Sequence, residues 1–265
     1  MKRRPPVTAK VRFDERRDEF AGMDLAGRFT RVRETNLWGA EESVSGLGSE
    51  LAATAKVREE LPRLLADLEA KSLLDIPCGD FRWMSEVDLA GVRYLGGDIV
   101  ASLVEENRAK YGREFLRLDL CADELPRADV VLCRDCLVHL SCANIRRAVE
   151  NLMRSGSEWL LTTHFLECEK NQDIEDGDWR MLNFELPPFL WGPPRRVLVE
   201  ECARRAGAAT RTRRWRCGAL RTSPEVGVDD PGGRRAVANH LGVEKDLEVA
   251  LAQGPAHPAA QFLQP

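Results

Sequence analysis

The sequence predicts an α/β fold, a doubly wound and mostly parallel sheet with helices on both faces. Short apolar runs closed by Pro, Gly or Asp recur along the chain, as expected of buried parallel strands. Segments with apolar residues at helical spacing separate these runs. Residues 128–133 are almost purely apolar, which a central parallel strand requires. Four β-α units in succession imply right-handed crossovers within one Rossmann-like sheet.

The chain that precedes the sheet is expected to be mostly irregular. Residues 1–20 are charged and contain prolines, which predicts a disordered or loosely docked N-terminal arm, and this arm extends to residue 36. Within it, residues 20–32 predict a short helix. Residues 41–48 form a Ser/Gly-rich loop, and Ser49 is expected to cap a helix with apolar residues at helical spacing behind it.

Strands and helices alternate through the main domain, residues 37–208. The first strand ends at Asp75. The other predicted strands are residues 92–98, 114–118, 128–133 and 158–163, and the predicted helices among them are residues 99–111 and 143–155. The connection formed by residues 164–194 is long for such a domain, and loops of this length are usually functional.

Length and charge limit the partners that the protein can have. At 265 residues the chain can hold one α/β domain with an arm and a tail. The formal net charge is -4, so nothing in the overall charge attracts a phosphate backbone, and no nucleic acid is expected as a partner. No apolar run reaches the ~18 residues that span a bilayer, and the basic N-terminus lacks the apolar core of a signal peptide. We therefore expect a cytoplasmic protein with no membrane partner.

The eight cysteines are scattered and lie mostly in apolar segments, as expected of reduced core residues. Cys133 and Cys136, followed by His139 and Cys142, superficially resemble metal ligands. A strand that turns into a helix here would point these side chains to different faces, and a second C-x-x-C pair is missing. Core packing is the favoured interpretation, and no metal is expected.

The turn after the first strand indicates the kind of ligand. The apolar run from Ser72 ends in Asp75, and Gly79 in the following turn permits close backbone approach to a ligand at the carboxyl end of the strand. The turn lacks G-x-G-x-x-G, so no glycine-lined path for a dinucleotide diphosphate is visible. A nucleoside cofactor with no phosphate to hold fits better than NAD.

Residues 75–84 read D-x-P-C-G-D-F-x-W-M, and this turn resembles that of class I S-adenosylmethionine-dependent methyltransferases. More narrowly it is similar to a bacterial subgroup with the same turn, over residues 38–202 or so. The resemblance implies S-adenosylmethionine as cofactor, with a small molecule as methyl acceptor. It also implies that a segment from Trp38 to Thr54, with Ser45, Gly46, Gly48 and Ser49, folds over the cofactor as a lid.

Asp98 is the strongest candidate for a cofactor contact. It lies 23 positions after Asp75 at the end of a predicted strand, where a carboxylate can accept hydrogen bonds from both ribose hydroxyls. Dinucleotide folds place an acid similarly, so Asp98 indicates a nucleoside without identifying the cofactor.

The resemblance implies that Asp119 and Leu120 contact the adenine ring, although a surface aspartate is an equally good interpretation of Asp119. The remaining predicted cofactor contacts are Asp75, Pro77, Cys78, Gly79 and Asp80 in the turn, Ile99 after Asp98, and Cys133 and Arg134 after the fourth strand.

Methyl transfer from a sulfonium needs alignment and exclusion of water more than it needs many catalytic groups. An oxygen acceptor would still profit from a base, whereas an amine must be neutral before it attacks. His139 and His164 are the candidate bases, with Asp135 to orient or replace them, although either histidine could be structural. The candidate substrate contacts are Trp38, Trp179, Arg180 and Asn183, which suit a polar, sugar-like molecule.

The tail, residues 209–265, changes in character. Residues 210–219 read TRTRRWRCGA, whereas the subgroup ends with a strand like Y-A-D-K-x-L-x-L-W-R. A back-translation of this segment, read one nucleotide earlier, gives YADKALALWR. The sequence therefore predicts an irregular, out-of-frame tail and a missing last sheet strand.

The sequence is compatible with three functions. The leading interpretation is methyl transfer to an oxygen or nitrogen of a polar small molecule. A catalytically silent methyltransferase-like protein that binds the cofactor is the alternative, and the unusual tail favours it. An NAD-dependent enzyme is the third, and the turn at Gly79 disfavours it.

Overall fold

The computed structural model describes residues 8–195, 197–202, 213–221 and 248–249, and its centre is one sheet of eight strands. The strands are β1 (Ser72–Asp75), β2 (Arg93–Asp98), β3 (Glu114–Arg117), β4 (Val130–Cys133), β5 (Trp159–His164), β6 (Val197–Cys202), β7 (Arg213–Arg221) and β8 (Glu248–Val249). The α-helices are α1 (Thr8–Glu15), α2 (Leu25–Glu34), α3 (Leu51–Asp67), α4 (Ala101–Tyr111) and α5 (Cys142–Arg154). Short 3-10 helices lie at Arg17–Phe20, Leu47–Ser49, Met84–Glu86 and Leu137–His139.

The strand order is β3-β2-β1-β4-β5-β7-β6, with β8 beside β7. Strands β1 to β5 are parallel, and β7 is antiparallel to both β5 and β6. This confirms the predicted α/β sheet. The chain runs outward from β1 to β3 and then returns to β4 on the other side of β1, so the connections leave a crevice at the carboxyl ends of β1 and β4.

The two faces of the sheet are covered by different elements. Successive residues of a strand point to opposite faces, so Leu73 packs with α3 and Leu74 packs with α5. Helix α3 contributes Val57, Leu61 and Leu65 to its face. Helix α5 contributes Ile145, Ala148, Val149 and Leu152 to the other. The helix of α5 begins where predicted, because the Ser141 hydroxyl accepts a hydrogen bond from the Asn144 amide.

The N-terminal residues are ordered helix, and the expectation of a disordered or loosely docked arm over residues 1–20 is wrong for residues 8–20. Phe13 and Phe20 are buried, with ring centroids 4.9 Å apart, in a small core with Val32 and Leu37. We call residues 8–38 the N-terminal cap. Residues 1–7 lie outside the described residues.

Polar contacts join the N-terminal cap to the rest of the fold. Lys10 pairs with Asp178 at 3.0 Å, and Arg28 donates to the Asp176 carbonyl at 3.1 Å. The predicted helix at residues 20–32 is observed as α2, which starts later because Asp24 caps it by accepting from the Gly27 amide.

Ser49 does not cap the following helix. Glu50 is the N-cap residue of α3 and makes no side-chain cap bond, whereas the Ser49 hydroxyl donates to the Ser45 carbonyl at 3.4 Å. Ser49 therefore stabilises the loop before α3 and not the helix itself.

A last sheet strand is present, so the expectation that it is missing is wrong. Strand β7 lies between β5 and β6 and pairs over six positions with each of them. Strand β7 lies within residues 209–265, which were expected to be irregular. The out-of-frame origin of residues 209–265 stays a prediction that sequencing of the gene would test.

The connection after β5 is mostly packed structure instead of an open loop. Phe184 stacks on Trp191 with ring centroids 4.1 Å apart and planes at 7°, and both rings belong to the core on the α5 face. The Phe165 amide donates to the Leu182 carbonyl at 2.7 Å. Part of this connection reaches the crevice, because the Gly177 amide donates to the His139 carbonyl at 2.8 Å.

Candidate functional site

A cleft with about 1010 Å³ of empty space, including its open mouth, lies over the carboxyl ends of β1, β2, β3 and β4. Its floor is formed by the turns that follow these strands, and its roof by the N-terminal cap and residues 44–49. Ligands of open α/β sheets bind at this place, where the strand order reverses. The cleft is therefore the candidate functional site.

The turn after β1 is held against its neighbours by backbone hydrogen bonds. The Ile76 amide donates to the Leu132 carbonyl, and the Cys78 amide donates to the Gly97 carbonyl, each at 2.8 Å. Gly79 has φ +55°, a region that favours glycine, and its carbonyl accepts from Asn107 Nδ2 at 2.7 Å. The turn is thus fixed before any ligand arrives.

Asp98 ends β2 and joins two of these turns. Its Oδ2 accepts from the Gly79 amide at 3.0 Å and its Oδ1 accepts from the Val100 amide at 2.9 Å. Each carboxylate oxygen keeps a lone pair, so both can still accept from a ligand hydroxyl. Burial raises the pKa of Asp98 to about 6, and the two backbone hydrogen bonds oppose that rise.

Asp75 ends β1 at the centre of the cleft floor. Its Oδ2 accepts a hydrogen bond from the Tyr94 hydroxyl at 2.8 Å. Burial, with a smaller contribution from the charge of Asp98, raises the pKa of Asp75 to about 7, and the Tyr94 hydrogen bond opposes that rise. A cation bound above this carboxyl would favour its ionised form.

Residues 43–49 fold onto the turn after β1. The Ser43 hydroxyl and the Val44 amide both donate to Asp80 Oδ2, at 2.8 and 3.1 Å. The Asp80 amide in turn donates to the Ser45 hydroxyl oxygen at 2.9 Å. This segment corresponds to the lid implied by the resemblance, and Ser45 and Ser49 line the cleft beside Trp38.

Arg134, directly after β4, is the centre of a buried charge network. Its Nε and Nη2 donate to Glu200 of β6, with the shortest distance 2.6 Å, and Nη2 also donates to the Gly48 carbonyl at 2.9 Å. Nη1 lies 3.2 Å from Asp135 Oδ2, and the guanidinium carbon lies 5.4 Å from the Trp83 ring centroid. Burial raises the pKa of Glu200, while the charge of Arg134 opposes that rise. This network joins the floor, the roof and β6.

Asp135 is held in an uncommon backbone conformation. Its φ is +52°, and its amide donates to the Thr163 hydroxyl at 2.8 Å. Residues held in this way cluster at functional sites, because the surrounding structure must maintain them. The carboxylate is thereby aimed at the cleft, where it contributes to the lining.

His139 lies beside Asp135 under the ring of Trp38. The two rings stack with centroids 4.5 Å apart and planes at 28°. His139 Nδ1 lies 2.8 Å from the Asp178 carbonyl oxygen, which fixes the proton on Nδ1 and leaves the lone pair on Nε2. Burial lowers the pKa of His139 to about 4, so the ring is neutral at pH 7.

The far end of the cleft has an apolar wall that the sequence analysis does not identify. Helix α2 presents Leu25, Phe29 and Val32 to the cleft, together with Arg33. Asp119 and Leu120 line the cleft as well, and Asp119 Oδ1 accepts from the Cys121 amide at 2.7 Å. The spacing of Leu25, Phe29 and Val32 along one helix face is the sequence signal that could have found this wall.

Several predicted site residues line the cleft together. They are Trp38, Asp75, Pro77, Cys78, Gly79, Asp80, Asp98, Ile99, Asp119, Leu120, Arg134, Asp135 and His139. Glu200 was missed, because its partner Arg134 is 66 positions away and nothing in the local sequence links them.

Cys133 and His164 were expected at the cleft but face elsewhere. Cys133 is fully buried in the core on the α5 face. The Thr163 hydroxyl accepts a hydrogen bond from the Asp135 amide, so Thr163 points toward the cleft side of β5. The next residue, His164, therefore points to the opposite face. There its Nδ1 accepts a hydrogen bond from the Phe184 amide at 3.0 Å. Both expectations are corrected by the alternation of side chains along a strand.

Trp179, Arg180 and Asn183 were expected to contact substrate, yet they stabilise the connection after β5. Trp179 packs edge-on against Phe165, with ring centroids 5.9 Å apart. Arg180 Nη1 donates to the Leu137 carbonyl at 3.1 Å, and Asn183 Nδ2 donates to the Cys168 carbonyl at 3.3 Å. None of the three lines the cleft.

Among the described residues, no group of three or more His, Cys, Asp or Glu side chains is arranged to hold a metal ion. Within that same part of the chain, no helix has the length and apolar character needed to cross a membrane.

The cleft carries an excess of negative charge. Among the described residues, five aspartates line it, Asp75, Asp80, Asp98, Asp119 and Asp135, of which Asp75, with a pKa of about 7, is only partly ionised at neutral pH. Two guanidinium groups, those of Arg33 and Arg134, face them, and the charge of Arg134 is matched by Glu200. The electrostatics of the cleft therefore favour cationic ligands over anionic ones.

Replacing Gly79 with alanine is expected to open the roof of the cleft. The added methyl group would overlap the Ser45 hydroxyl, and the positive φ adds about 1–2 kcal/mol of strain. Gly91→Ala is the matched control, because Gly91 also has positive φ but no atom within 4 Å of the new methyl group. Chemical denaturation should show a larger loss of stability for Gly79→Ala, and equal losses would contradict a closed roof.

The fold resembles those of solved proteins. A SAM-dependent methyltransferase of Leishmania major is 15% identical, with 78% of this chain and 90% of that chain covered and a TM-score of 0.55. Magnesium protoporphyrin IX methyltransferase from Synechocystis PCC 6803, solved with bound SAM, is 16% identical, with 75% and 97% covered and a TM-score of 0.46. No known family model matches the sequence, and no curated protein matches it. At 15% identity the likeness to the Leishmania major protein concerns the fold alone, in agreement with the predicted Rossmann-like sheet.

Proposed function

We propose that the protein transfers a methyl group from S-adenosylmethionine to an oxygen or nitrogen of a polar small molecule. The observation that carries the proposal is Asp98, a buried carboxylate at the carboxyl end of β2 that is positioned by the Gly79 and Val100 amides and opens onto the cleft. Such a carboxylate suits two adjacent ribose hydroxyls. The Leishmania major protein with a similar fold is itself a SAM-dependent methyltransferase.

The residues of the cleft fit this cofactor from end to end. Asp98 and Ile99 would hold the ribose, while Asp119 and Leu120 would meet the adenine ring against the apolar wall of α2. The turn from Asp75 to Asp80, including Pro77, Cys78 and Gly79, would receive the amino acid end, with Arg134 beside it.

The charge of the cleft also suits this cofactor. The excess of carboxylates suits a sulfonium and an ammonium group, and Trp83 adds an aromatic ring to the lining. When bound, S-adenosylmethionine supplies an electrophilic methyl group on a good leaving group.

The protein's own contribution is positioning and exclusion of water. The roof formed by the N-terminal cap and residues 44–49 covers the cleft, which removes water from the reacting groups. Asp135 and His139 stand where an acceptor would enter, and His139 presents a neutral Nε2 as a proton acceptor. His164 has no part in this proposal, because it lies on the opposite face of β5.

Thermal unfolding with ligands tests the proposal directly. S-adenosylhomocysteine at about 100 times its dissociation constant is expected to stabilise the protein by about 2.7 kcal/mol, and NAD is expected to leave the melting temperature unchanged. A rise in melting temperature with NAD, or no rise with S-adenosylhomocysteine, would contradict the assignment.

We also propose a subgroup, an acceptor class and a location for the protein. The D-x-P-C-G-D-F-x-W-M turn supports membership of the bacterial subgroup, and the charge of the cleft supports a small-molecule acceptor over a nucleic acid. The sequence features given above support a cytoplasmic location.

A further inference from the structure

In the described part of the chain, two buried polar atoms of residues that line the cleft have no partner, and His139, whose ring stacks on that of Trp38, lines the cleft with them. Trp38 Nε1 and Asp135 Oδ1 are buried and make no hydrogen bond among the described residues. His139 Nε2 carries a lone pair, because its Nδ1 is hydrogen-bonded to the Asp178 carbonyl. Buried polar groups normally have partners, so this set of one donor and two acceptors calls for a ligand with complementary groups.

We propose that this set, Trp38, Asp135 and His139, is the acceptor subsite and that the acceptor is an amine. Two N–H groups of the amine donate to Asp135 Oδ1 and His139 Nε2, and a nearby oxygen of the same molecule accepts from Trp38 Nε1. This inference rests on the proposed methyl transfer and adds to it the class of substrate.

The charges around the subsite favour an ammonium ion over neutral or anionic acceptors. Arg134 is compensated by Glu200 at 2.6 Å, so the negative charge of Asp135 is in excess there. Asp80 lies in the same cleft and adds a second carboxylate. A carboxylate or phosphate acceptor would meet like charge instead.

The chemistry of the subsite also favours nitrogen over oxygen. A neutral His139 whose pKa burial holds near 4 is too weak a base to remove the proton of an alcohol, whose pKa is far higher. A neutral amine needs no such help, because its lone pair is nucleophilic already. An ammonium ion has no lone pair, so it must first lose a proton to solvent, and the neutral amine that remains is the nucleophile.

In the transfer step one bond forms as another breaks. The amine lone pair forms the new nitrogen–carbon bond as the carbon–sulfur bond breaks, and the bonding pair of that bond leaves on sulfur. The product is an N-methyl ammonium ion, which Asp135 stabilises until one N–H proton is released.

Binding to the protein saturated with S-adenosylhomocysteine tests the inference without turnover. The probes are tyramine with its matched alcohol tyrosol and its matched acid 4-hydroxyphenylacetate, and D-glucosamine with D-glucose and D-glucuronate. Calorimetry is expected to show at least about tenfold tighter binding of the amine in one of the two sets, because a charge-assisted hydrogen bond is gained.

Two variants test whether the preference for an amine depends on Asp135. Asp135→Asn keeps the size of the side chain and is expected to lower affinity for the bound amine about tenfold, with affinity for S-adenosylhomocysteine retained. Glu105→Gln, an exposed carboxylate change on α4, is the control and is expected to change neither affinity. If the alcohol or the acid binds as well as the amine, if none of the six probes binds, or if Asp135→Asn leaves amine binding unchanged, the inference is overturned. If S-adenosylhomocysteine itself does not bind, the proposed function fails as well.

Discussion

Replacing Asp98 with asparagine is expected to weaken the binding of S-adenosylhomocysteine about a hundredfold. The change keeps the size of the side chain but removes its charge and one of its two acceptor oxygens, so ribose hydroxyls lose charge-assisted hydrogen bonds. It also puts an amide N–H group against either the Gly79 or the Val100 amide, which both donate to this side chain. Isothermal titration calorimetry measures the loss.

The same carboxylate predicts a pH dependence of binding. Burial raises the pKa of Asp98 to about 6, so the group is ionised at pH 8 and becomes protonated as the pH falls through 6. If the ionised form binds the ribose, affinity should be constant above about pH 7 and should fall about tenfold for each pH unit below the pKa. Asp75, with a pKa of about 7, titrates in both proteins, so Asp98→Asn should lose only the part of this dependence centred near pH 6.

Two checks make the Asp98 result interpretable. The melting temperature of Asp98→Asn shows whether the variant folds, because the two amides are also structural partners. Glu105→Gln removes an exposed carboxylate from the next helix and should leave affinity unchanged. A folded Asp98→Asn protein with full affinity would remove the basis for the proposed cofactor site.

Removing Glu200 is expected to destabilise the protein by about 3–5 kcal/mol. Glu200 accepts from Nε and Nη2 of Arg134, and both side chains are buried, so Glu200→Ala leaves a buried guanidinium without its main counter-charge. Arg134 keeps the Gly48 carbonyl and the Asp135 carboxylate at 3.2 Å, but it loses the carboxylate that accepts from both its Nε and its Nη2. Denaturant unfolding measures the loss of free energy.

A second variant separates lost charge compensation from lost packing. Arg134→Met combined with Glu200→Leu removes both charges and should recover most of the stability, since an apolar pair can replace a buried ion pair at little cost. Glu158→Ala breaks the exposed pair with Arg127, at 3.5 Å, and should cost less than about 1 kcal/mol. A loss for Glu200→Ala as small as that of Glu158→Ala would contradict the buried network.

Most of the sheet could be predicted from the sequence, because its signals are local. The apolar runs that end at Asp75, Asp98 and Cys133 are closed by turn residues, and each is observed as a strand. Parallel strands bring their carboxyl ends to one edge of the sheet, so residues next to these ends could be placed in one cleft without a structure.

What could not be predicted depends on distant partners. Phe13 and Phe20 stand among charged residues, and no local pattern shows that they pack with Val32 and Leu37. The pairing of Glu200 with Arg134 joins strands that are far apart in the chain. His164 was misplaced because its face depends on the register of β5 against its neighbours, which the sequence does not show.

The N-terminal cap has a consequence for the order in which the chain matures. Lys10 and its partner Asp178 are 168 positions apart, so during synthesis on the ribosome the roof emerges long before the segment on which it rests. Contacts between residues so distant in sequence form late, after the loop between them has closed. The N-terminal cap can therefore be held in place only after Asp178 has left the ribosome, and nascent chains halted before this residue lack that partner of the cap.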